Sequence, residues 1–189
     1  MTTTALVLLG LAGTAPLAAF LLERAGHDAV VLVALTSAML LSGSALAAWH
    51  AERASTGQQA AAAVLGVVVA VVAGSLVVRA VFRLTRGELL PRPTDSRGRA
   101  SATEDVTGAG GEPEQVLRGG AWIGYLERAG TGVTVLAGFP EGVAILIAVK
   151  GLGRYAELKQ SNAPEAFIIG TLASLLWAYA AVGVAVLLR

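Results

Sequence analysis

Four long stretches without a charged residue constrain what this chain can fold into. They cover residues 5–22, 29–49, 60–78 and 166–188, and each is between 18 and 23 residues long. An α-helix rises about 1.5 Å per residue, so about 20 apolar residues cross the roughly 30 Å of hydrocarbon in a bilayer. Each stretch therefore predicts a membrane-spanning helix, and the predicted fold class is an all-α polytopic membrane protein.

Composition agrees with this fold class and excludes several functions. The chain is 55% hydrophobic and 14% charged, whereas soluble domains carry about 25% charged residues. It has no cysteine for a thiolate metal site, and a net charge of +1 without a basic aromatic patch argues against nucleic-acid binding. His27 and His50 flank the second stretch at opposite ends and cannot jointly hold a metal. We therefore predict no cofactor and, without a catalytic motif, no enzymatic activity.

Two shorter apolar runs, residues 121–137 and 142–158, raise the predicted number of membrane helices to six. Gly138, Phe139 and Pro140 separate them, and the glycine and proline interrupt a helix, so the two runs predict a tight hairpin. A re-entrant hairpin that enters and leaves on one side is the alternative. The first stretch could instead be a signal peptide, but the residues before it lack the basic charge that such a peptide needs, so we interpret it as a span.

The chain is predicted to have two membrane halves joined by a polar loop. Residues 1–85 form a first three-helix half, and residues 121–189 form a second one that carries the intramembrane charges. Residues 86–120 contain three prolines, a glycine cluster and few apolar side chains, so we expect a disordered cytoplasmic loop.

Basic residues predict the orientation in the membrane. Six spans put eleven Lys and Arg residues in the loops of one side and two, Arg53 and Arg189, on the other. Because basic loops stay in the cytoplasm, we expect a multi-pass protein of the cell inner (cytoplasmic) membrane with both termini extracytoplasmic. Arg79, Arg83 and Arg86 share one helix face and predict a basic patch that binds anionic lipid or a partner. Topology-setting charge after a membrane span is the more ordinary interpretation of the same three residues.

Four ionisable residues lie within or beside the hairpin helices. They are Glu127, Arg128, Lys150 and Arg154. A charge in hydrocarbon costs about 2.5–3.5 kcal/mol even on the milder scales, so each is a candidate functional residue. Folding the hairpin about Phe139 brings Glu127 and Lys150 to a similar depth, which predicts an ion pair. Arg128 lies about 100° further round its helix and must find another partner or extend to the interface.

The pair has three interpretations from sequence. It can lock the hairpin as a structural ion pair, line a path for a translocated ion or solute, or act as a catalytic pair.

Five aromatic residues of the second half are predicted to be mostly interfacial anchors or lipid-facing side chains. They are Trp122, Tyr125, Tyr155, Trp177 and Tyr179.

The hairpin and the last span resemble a known group of proteins. Residues 124–128, 148–155 and 169–174 carry polar residues at set places in apolar helices. With that pattern, residues 119–180 resemble the C-terminal membrane region of a family of uncharacterised bacterial integral membrane proteins. The family has no assigned activity, so the resemblance implies a set of site residues without roles. These residues are Glu127, Arg128, Lys150, Arg154, Thr171 and Ser174.

Two functions remain open from the sequence. The first is a non-enzymatic membrane scaffold or accessory subunit held together by the hairpin. The second is a small ion or solute channel or transporter that uses Glu127 and Lys150 as a polar intramembrane site. The expected partners are the lipid bilayer, including anionic lipid, and a second copy or another membrane protein. The last two follow if small residues repeated every four positions, such as Gly66, Ala70 and Gly74, form a face between chains. Packing of helices within the chain is the more ordinary interpretation of the same repeat.

The six-span topology predicts the accessibility of two loop positions. Cysteines introduced as Thr56→Cys and Ser101→Cys should react with an impermeant thiol reagent from opposite sides of the membrane, Ser101 from the cytoplasm. The chain has no native cysteine, so each label reports one site. Labelling of both positions from one side would contradict six spans.

Overall fold

The chain folds into α-helices throughout the part that the structure describes. A computed structural model describes residues 1–25, 29–51, 53–89, 117–155 and 163–189. For residues 86–89, 117–121 and 163 it describes the backbone and not the side chains. Within these ranges there are seven helices and no strand. The helices are α1 Thr2–Gly13, α2 Ala15–Arg24, α3 Val30–Trp49, α4 Thr56–Leu89, α5 Leu117–Leu136, α6 Gly142–Gly153 and α7 Ala163–Leu187. The predicted all-α fold class is confirmed.

Four helical stretches are long and apolar enough to cross a membrane. They are Thr2–Arg24, Val30–Trp49, Thr56–Thr85 and Pro164–Leu187, and they match the four uncharged stretches of the sequence. The first is interrupted where Pro16 opens α2 and lacks the N–H that would continue α1. There the hydroxyl of Thr14 donates to the carbonyl of Leu11 over 2.7 Å.

The predicted hairpin is formed by α5 and α6, but α6 is shorter than expected. It has 12 residues and is about 18 Å long at 1.5 Å per residue, less than the hydrocarbon thickness. Gly151 and Gly153 lie in its last turn, where glycine weakens a helix. Complete crossings beyond the four long stretches therefore stay a prediction. Most of the predicted loop 86–120, namely residues 90–116, lies outside the described residues. Residues 86–89 belong to the end of α4, and residues 117–120 belong to the start of α5.

Helix α4 is at the centre of the bundle. It packs against α1, α2, α3, α5 and α7, so the two predicted halves share one core. The backbone of α6 packs closely against α5 alone among the described helices. The buried face of α4 carries mainly small side chains, including Ala62, Ala70 and Ala73. Small residues let helix backbones approach in lipid, where apolar burial gives little drive for helices to associate.

Gly66 marks a close approach of α4 to α7. A Cβ atom added there would lie 3.1 Å from the carbonyl oxygen of Ala181 and 3.3 Å from the Cα of Val182. Both are backbone atoms, so neither can move without a shift of α7. The repeat of small residues at Gly66 and Ala70 therefore serves packing within the chain.

Two serines join α3 to α1. Ser37 donates to the carbonyl of Ala12 over 3.1 Å, and Ser44 donates to the carbonyl of Ala5 over 2.8 Å. Both serines are fully buried and are two turns apart on one face of α3. Such interhelical hydrogen bonds contribute about 0.6 kcal/mol each in membrane proteins, and they fix the antiparallel register of the two helices.

Both chain termini lie at the same end of the bundle. Ala5 and Leu9 near the N-terminus share a hydrophobic cluster with Ala185 and Leu188 near the C-terminus and with Ala54 between α3 and α4. A second cluster, which includes Ala15, Val30 and Ala80, fills the opposite end. Which end faces the cytoplasm stays a prediction from the charge of the loops.

The contact at Gly66 predicts the effect of a larger side chain. Gly66→Val should force α4 and α7 apart and lower the free energy of unfolding by about 1–3 kcal/mol, the range for overpacked cores. Thermal unfolding of the detergent-purified protein measures this. Gly57→Val, also on α4 but with nothing within 4 Å of the added Cβ, is the control and should change little. Equal effects at both positions would contradict the close packing at Gly66.

Candidate functional site

The turn between α5 and α6 sets the register of the hairpin. Gly138 has φ of 76°, a left-handed conformation that glycine adopts without strain. Next to it the N–H of Phe139 donates to the carbonyl of Thr134 over 2.9 Å, and the N–H of Gly138 donates to that of Val135 over 3.1 Å. These two bonds form a Schellman motif that ends α5.

Close contacts continue from this turn along both hairpin helices. A Cβ added at Gly142 would lie 2.8 Å from Cγ2 of Thr134, and one added at Gly130 would lie 3.0 Å from Cδ1 of Leu146. Each contact is one helical turn further from the turn residues. The next turn brings residues 127 and 150 together.

Glu127 and Lys150 form the predicted ion pair. Nζ of Lys150 donates to Oε2 of Glu127 over 2.5 Å, and the two side chains are only 19% and 15% exposed. Nζ also lies 5.8 Å from the ring centroid of Phe167 on α7. The other carboxylate oxygen, Oε1 of Glu127, is buried and has no hydrogen-bond partner among the described residues. The sequence prediction of this pair is confirmed.

Arg128 extends to the other side of α5, into the bundle. The residue is only 5% exposed, so its side chain does not extend to the membrane interface. Nε donates to the carbonyl of Val71 over 3.1 Å, and Nη1 donates to Oγ of Ser174 over 3.4 Å. The guanidinium carbon lies 5.3 Å from the ring centroid of Tyr125. Arg128 therefore connects α5 to both α4 and α7.

Two glycines leave the space that the arginine side chain occupies. A Cβ added at Gly74 would collide with Cδ of Arg128 and lie 2.7 Å from its Nε. A Cβ added at Gly124 would lie 3.4 Å from Nη1. From sequence, Gly74 belongs to a repeat of small residues that predicts helix packing or contact with another chain, so its contact with Arg128 is a finding of the structure. The repeat of Gly66, Ala70 and Gly74, four residues apart in succession, is the sequence signal for a close contact at this position.

The guanidinium lies in the middle of the bundle and has no carboxylate partner among the described residues. Val71 and Ser174 are near the midpoints of the long stretches Thr56–Thr85 and Pro164–Leu187. Within the described residues Arg128 makes no ion pair, and its hydrogen bonds go to neutral groups. Because Glu127 and Lys150 neutralise each other, this group of three charged residues carries a net charge of +1.

Of the other predicted site residues, Thr171 lies near the buried arginine and Arg154 lies at the surface. Thr171 is one turn before Ser174 on α7, is 8% exposed, and its hydroxyl has no hydrogen-bond partner among the described residues. Arg154 follows the last residue of α6 and has an exposed side chain. The structure thus brings Glu127 to Lys150 and Arg128 to Ser174, with Thr171 nearby, and leaves Arg154 at the surface.

Trp177 was predicted as an anchor at the interface or in lipid, and this prediction is wrong. The side chain is buried, and its Nε1 donates to the carbonyl of Val69 over 3.2 Å. Val69 lies two residues before Val71, the acceptor for Arg128. Helix α4 therefore accepts side-chain hydrogen bonds from α5 and from α7 at nearly the same level.

The predicted basic patch is partly paired. Nη1 of Arg79 lies 3.8 Å from Oε1 of Glu23 on α2, with the side chains 53% and 37% exposed, so the pair contributes little to stability. Arg83 has an exposed side chain, and the side chain of Arg86 lies outside the described residues. Binding of anionic lipid by this patch stays a prediction.

A large open groove is lined entirely by uncharged residues. It has a volume of about 770 Å³ and runs between α3, α4 and α7. Its lining is mainly apolar and includes Leu41, Val77 and Leu176. Among the described residues no group of three His, Cys, Asp or Glu side chains is arranged to hold a metal ion.

Comparisons with family models, with curated proteins and with solved structures find no match to this chain. The resemblance to a family of bacterial membrane proteins therefore stays a prediction from the sequence.

The ion pair predicts a non-additive pattern of stabilities. Glu127→Gln and Lys150→Met should each lower the free energy of unfolding by about 3–5 kcal/mol, because each leaves an uncompensated buried charge. The double variant should recover much of this loss. Denaturation of the purified protein in detergent measures all three variants.

A matched control is Glu141→Gln, which removes an exposed carboxylate from the same hairpin. It should change the free energy of unfolding by less than about 0.5 kcal/mol. Single losses that simply add in the double variant would show that Glu127 and Lys150 do not stabilise each other.

Proposed function

We propose that this chain is a non-enzymatic membrane scaffold or accessory subunit whose intramembrane charges hold its helices in place. The observation that carries the proposal is the direct contact between Nζ of Lys150 and Oε2 of Glu127. A distance of 2.5 Å leaves no room for a solute between these atoms. The pair therefore acts first on the hairpin, by holding α6 against α5.

The contacts of Arg128 support the same function. Its two hydrogen bonds go to α4 and α7, so this charge also joins helices. With the bonds from Ser37, Ser44 and Trp177, the buried polar side chains of the described bundle act mainly as interhelical contacts. Such contacts are typical of a rigid membrane subunit.

Helix α6 is the element that suits a role in assembly. It lies at the edge of the bundle and has exposed apolar side chains at Ile145, Val149 and Leu152. These side chains contact lipid or a helix of another membrane protein. In this proposal the protein is in the cytoplasmic membrane of a bacterium with both termini outside, as the loop charges and the family resemblance predict.

A small ion or solute channel or transporter is the second candidate. Two buried oxygen atoms favour it, because Oε1 of Glu127 and the hydroxyl of Thr171 lack hydrogen-bond partners among the described residues. Unsatisfied polar atoms inside a membrane bundle are costly and are typical of solute pathways. In this candidate Glu127 and Lys150 form the polar intramembrane site.

An experiment in cells separates the two candidates. A strain that lacks the protein is complemented with the wild type, with Glu127→Gln, or with Glu127→Gln combined with Lys150→Met, and growth is measured in competition. For a scaffold, complementation should follow the amount of folded protein, so the double variant should restore growth better than the single variant.

The amount of folded protein is measured in parallel by gel filtration of detergent-solubilised membranes. The variant Glu141→Gln serves as the control for a change of charge in the hairpin. A double variant that is folded at wild-type levels yet fails to complement would contradict the scaffold and support transport.

A further inference from the structure

We propose that Arg128, Thr171 and Ser174 form a binding site for an oxyanion, such as a carboxylate or phosphate group, in the middle of the bundle. This inference goes beyond the proposed scaffold function, because it assigns a ligand to residues that the ion pair does not use. The first argument is charge. Arg128 is only 5% exposed as a residue, and the described hydrogen-bond partners of its guanidinium are neutral groups. An uncompensated cation in this position favours an anion beside it.

The second argument is the number of free donors. A guanidinium has five N–H groups in a planar fork. Nε uses its N–H on the carbonyl of Val71, and Nη1 uses one on Oγ of Ser174. No hydrogen bond joins Nη2 to a described residue. The end of the fork formed by Nη1 and Nη2 therefore still has free N–H donors. This end of a guanidinium binds oxyanions through two parallel hydrogen bonds.

The third argument is the buried hydroxyl of Thr171. It has no hydrogen-bond partner among the described residues, although the side chain is more than nine-tenths buried. Thr171 and Ser174 are neighbours on one face of α7, because residues three apart in a helix are adjacent. A hydroxyl in this position donates to an anion held by the guanidinium, which would satisfy both groups together.

The direction of the arginine side chain brings these groups to the same level. Helices α5 and α7 run in parallel, since Gly132 contacts Val182 and Arg128 reaches Ser174. Nη1 and Nη2 lie over Gly124, one turn towards the start of α5. Thr171 lies one turn towards the start of α7 from Ser174. The free end of the fork and the unpartnered hydroxyl are therefore displaced towards the same end of the bundle.

The experiment measures the thermal stability of the full chain in nanodiscs of phosphatidylcholine, a lipid without net charge. Sodium phosphate or sodium acetate is titrated against sodium chloride at equal ionic strength. A ligand that binds the folded state raises Tm in a saturable manner. We expect this rise with an oxyanion and a smaller one with chloride, which has a single acceptor atom and cannot accept two parallel hydrogen bonds from the fork.

Thr171→Val is the decisive variant, because its two expected effects have opposite signs. Without an oxyanion it should raise Tm, since it removes a buried hydroxyl that lacks a partner. It should also weaken oxyanion binding about tenfold, since one donor is lost. A purely structural threonine would change Tm without changing the response to the anion. Gly74→Ala, which displaces the guanidinium, should abolish the response.

Thr131→Val is the matched control. Thr131 is also fully buried, but its hydroxyl already donates to the carbonyl of Glu127 over 2.8 Å. This variant should keep the full rise of Tm with the oxyanion. Arg128→Met should abolish the rise of Tm with the oxyanion. If this variant does not fold, Thr171→Val and Gly74→Ala still test the site.

A second set of nanodiscs, made with phosphatidylglycerol, distinguishes a free anion from a lipid headgroup. If Tm is higher in phosphatidylglycerol than in phosphatidylcholine, and Thr171→Val reduces this difference, the site binds the phosphate of a lipid headgroup. No rise with either lipid would overturn the proposal, as would a rise that Thr171→Val and Gly74→Ala leave unchanged. Neither result would affect the scaffold, which is tested through Glu127 and Lys150.

Discussion

The hydrogen bonds of one buried guanidinium determine how the helices around α5 are arranged. A charged side chain in hydrocarbon costs several kcal/mol, so Arg128 is tolerated only where protein atoms replace water around it. The carbonyl of Val71 and the hydroxyl of Ser174 provide such atoms, on α4 and on α7. These contacts fix the rotation of α5 about its axis. Because Glu127 precedes Arg128 by one residue, the same rotation points its carboxylate outwards, and α6 packs where Lys150 meets it.

Polar contacts and small residues have complementary roles in this bundle. Apolar surface gives little drive for helices to associate in lipid, so close approach must be gained through dispersion contacts and hydrogen bonds. Gly66 brings α4 against the backbone of α7, and Gly74 opens the space for Arg128. The donors then bind main-chain carbonyls of neighbouring helices, as Ser44 and Trp177 do. A helix carbonyl has a second lone pair, so these bonds form without breaking the helix.

Much of this arrangement follows from the sequence, since it depends on residue spacing along the chain. Uncharged stretches predict the four long helices, and the break at Gly138 and Pro140 predicts the hairpin. The register of the hairpin then predicts the Glu127–Lys150 pair, because both residues are at equal distances from one turn. These predictions need only helix rise and the position of the turn.

The partners of Arg128 and Trp177 could not be predicted in this way. They depend on which helices are neighbours and on how each helix is rotated, and neither is encoded in local spacing. Trp177 shows the difficulty, since an aromatic residue with one N–H suits both an interface and a buried carbonyl. The end of α6 at Gly153 was also not predicted from the apolar run. Gly151, Gly153 and Arg154 end the helix earlier than the run of apolar residues indicates.

The space left by Gly74 has a consequence for how this protein can vary during evolution. A side chain at position 74 is incompatible with the present path of Arg128, so the glycine is free to change only after the arginine has been lost or has moved. The reverse order is allowed, because a smaller residue at position 128 leaves a void beside an unchanged glycine. Gly183, with nothing within 4 Å of an added Cβ, has no such dependence. Substitutions at positions 74 and 128 are therefore ordered in time, although the two positions are 54 apart in the chain.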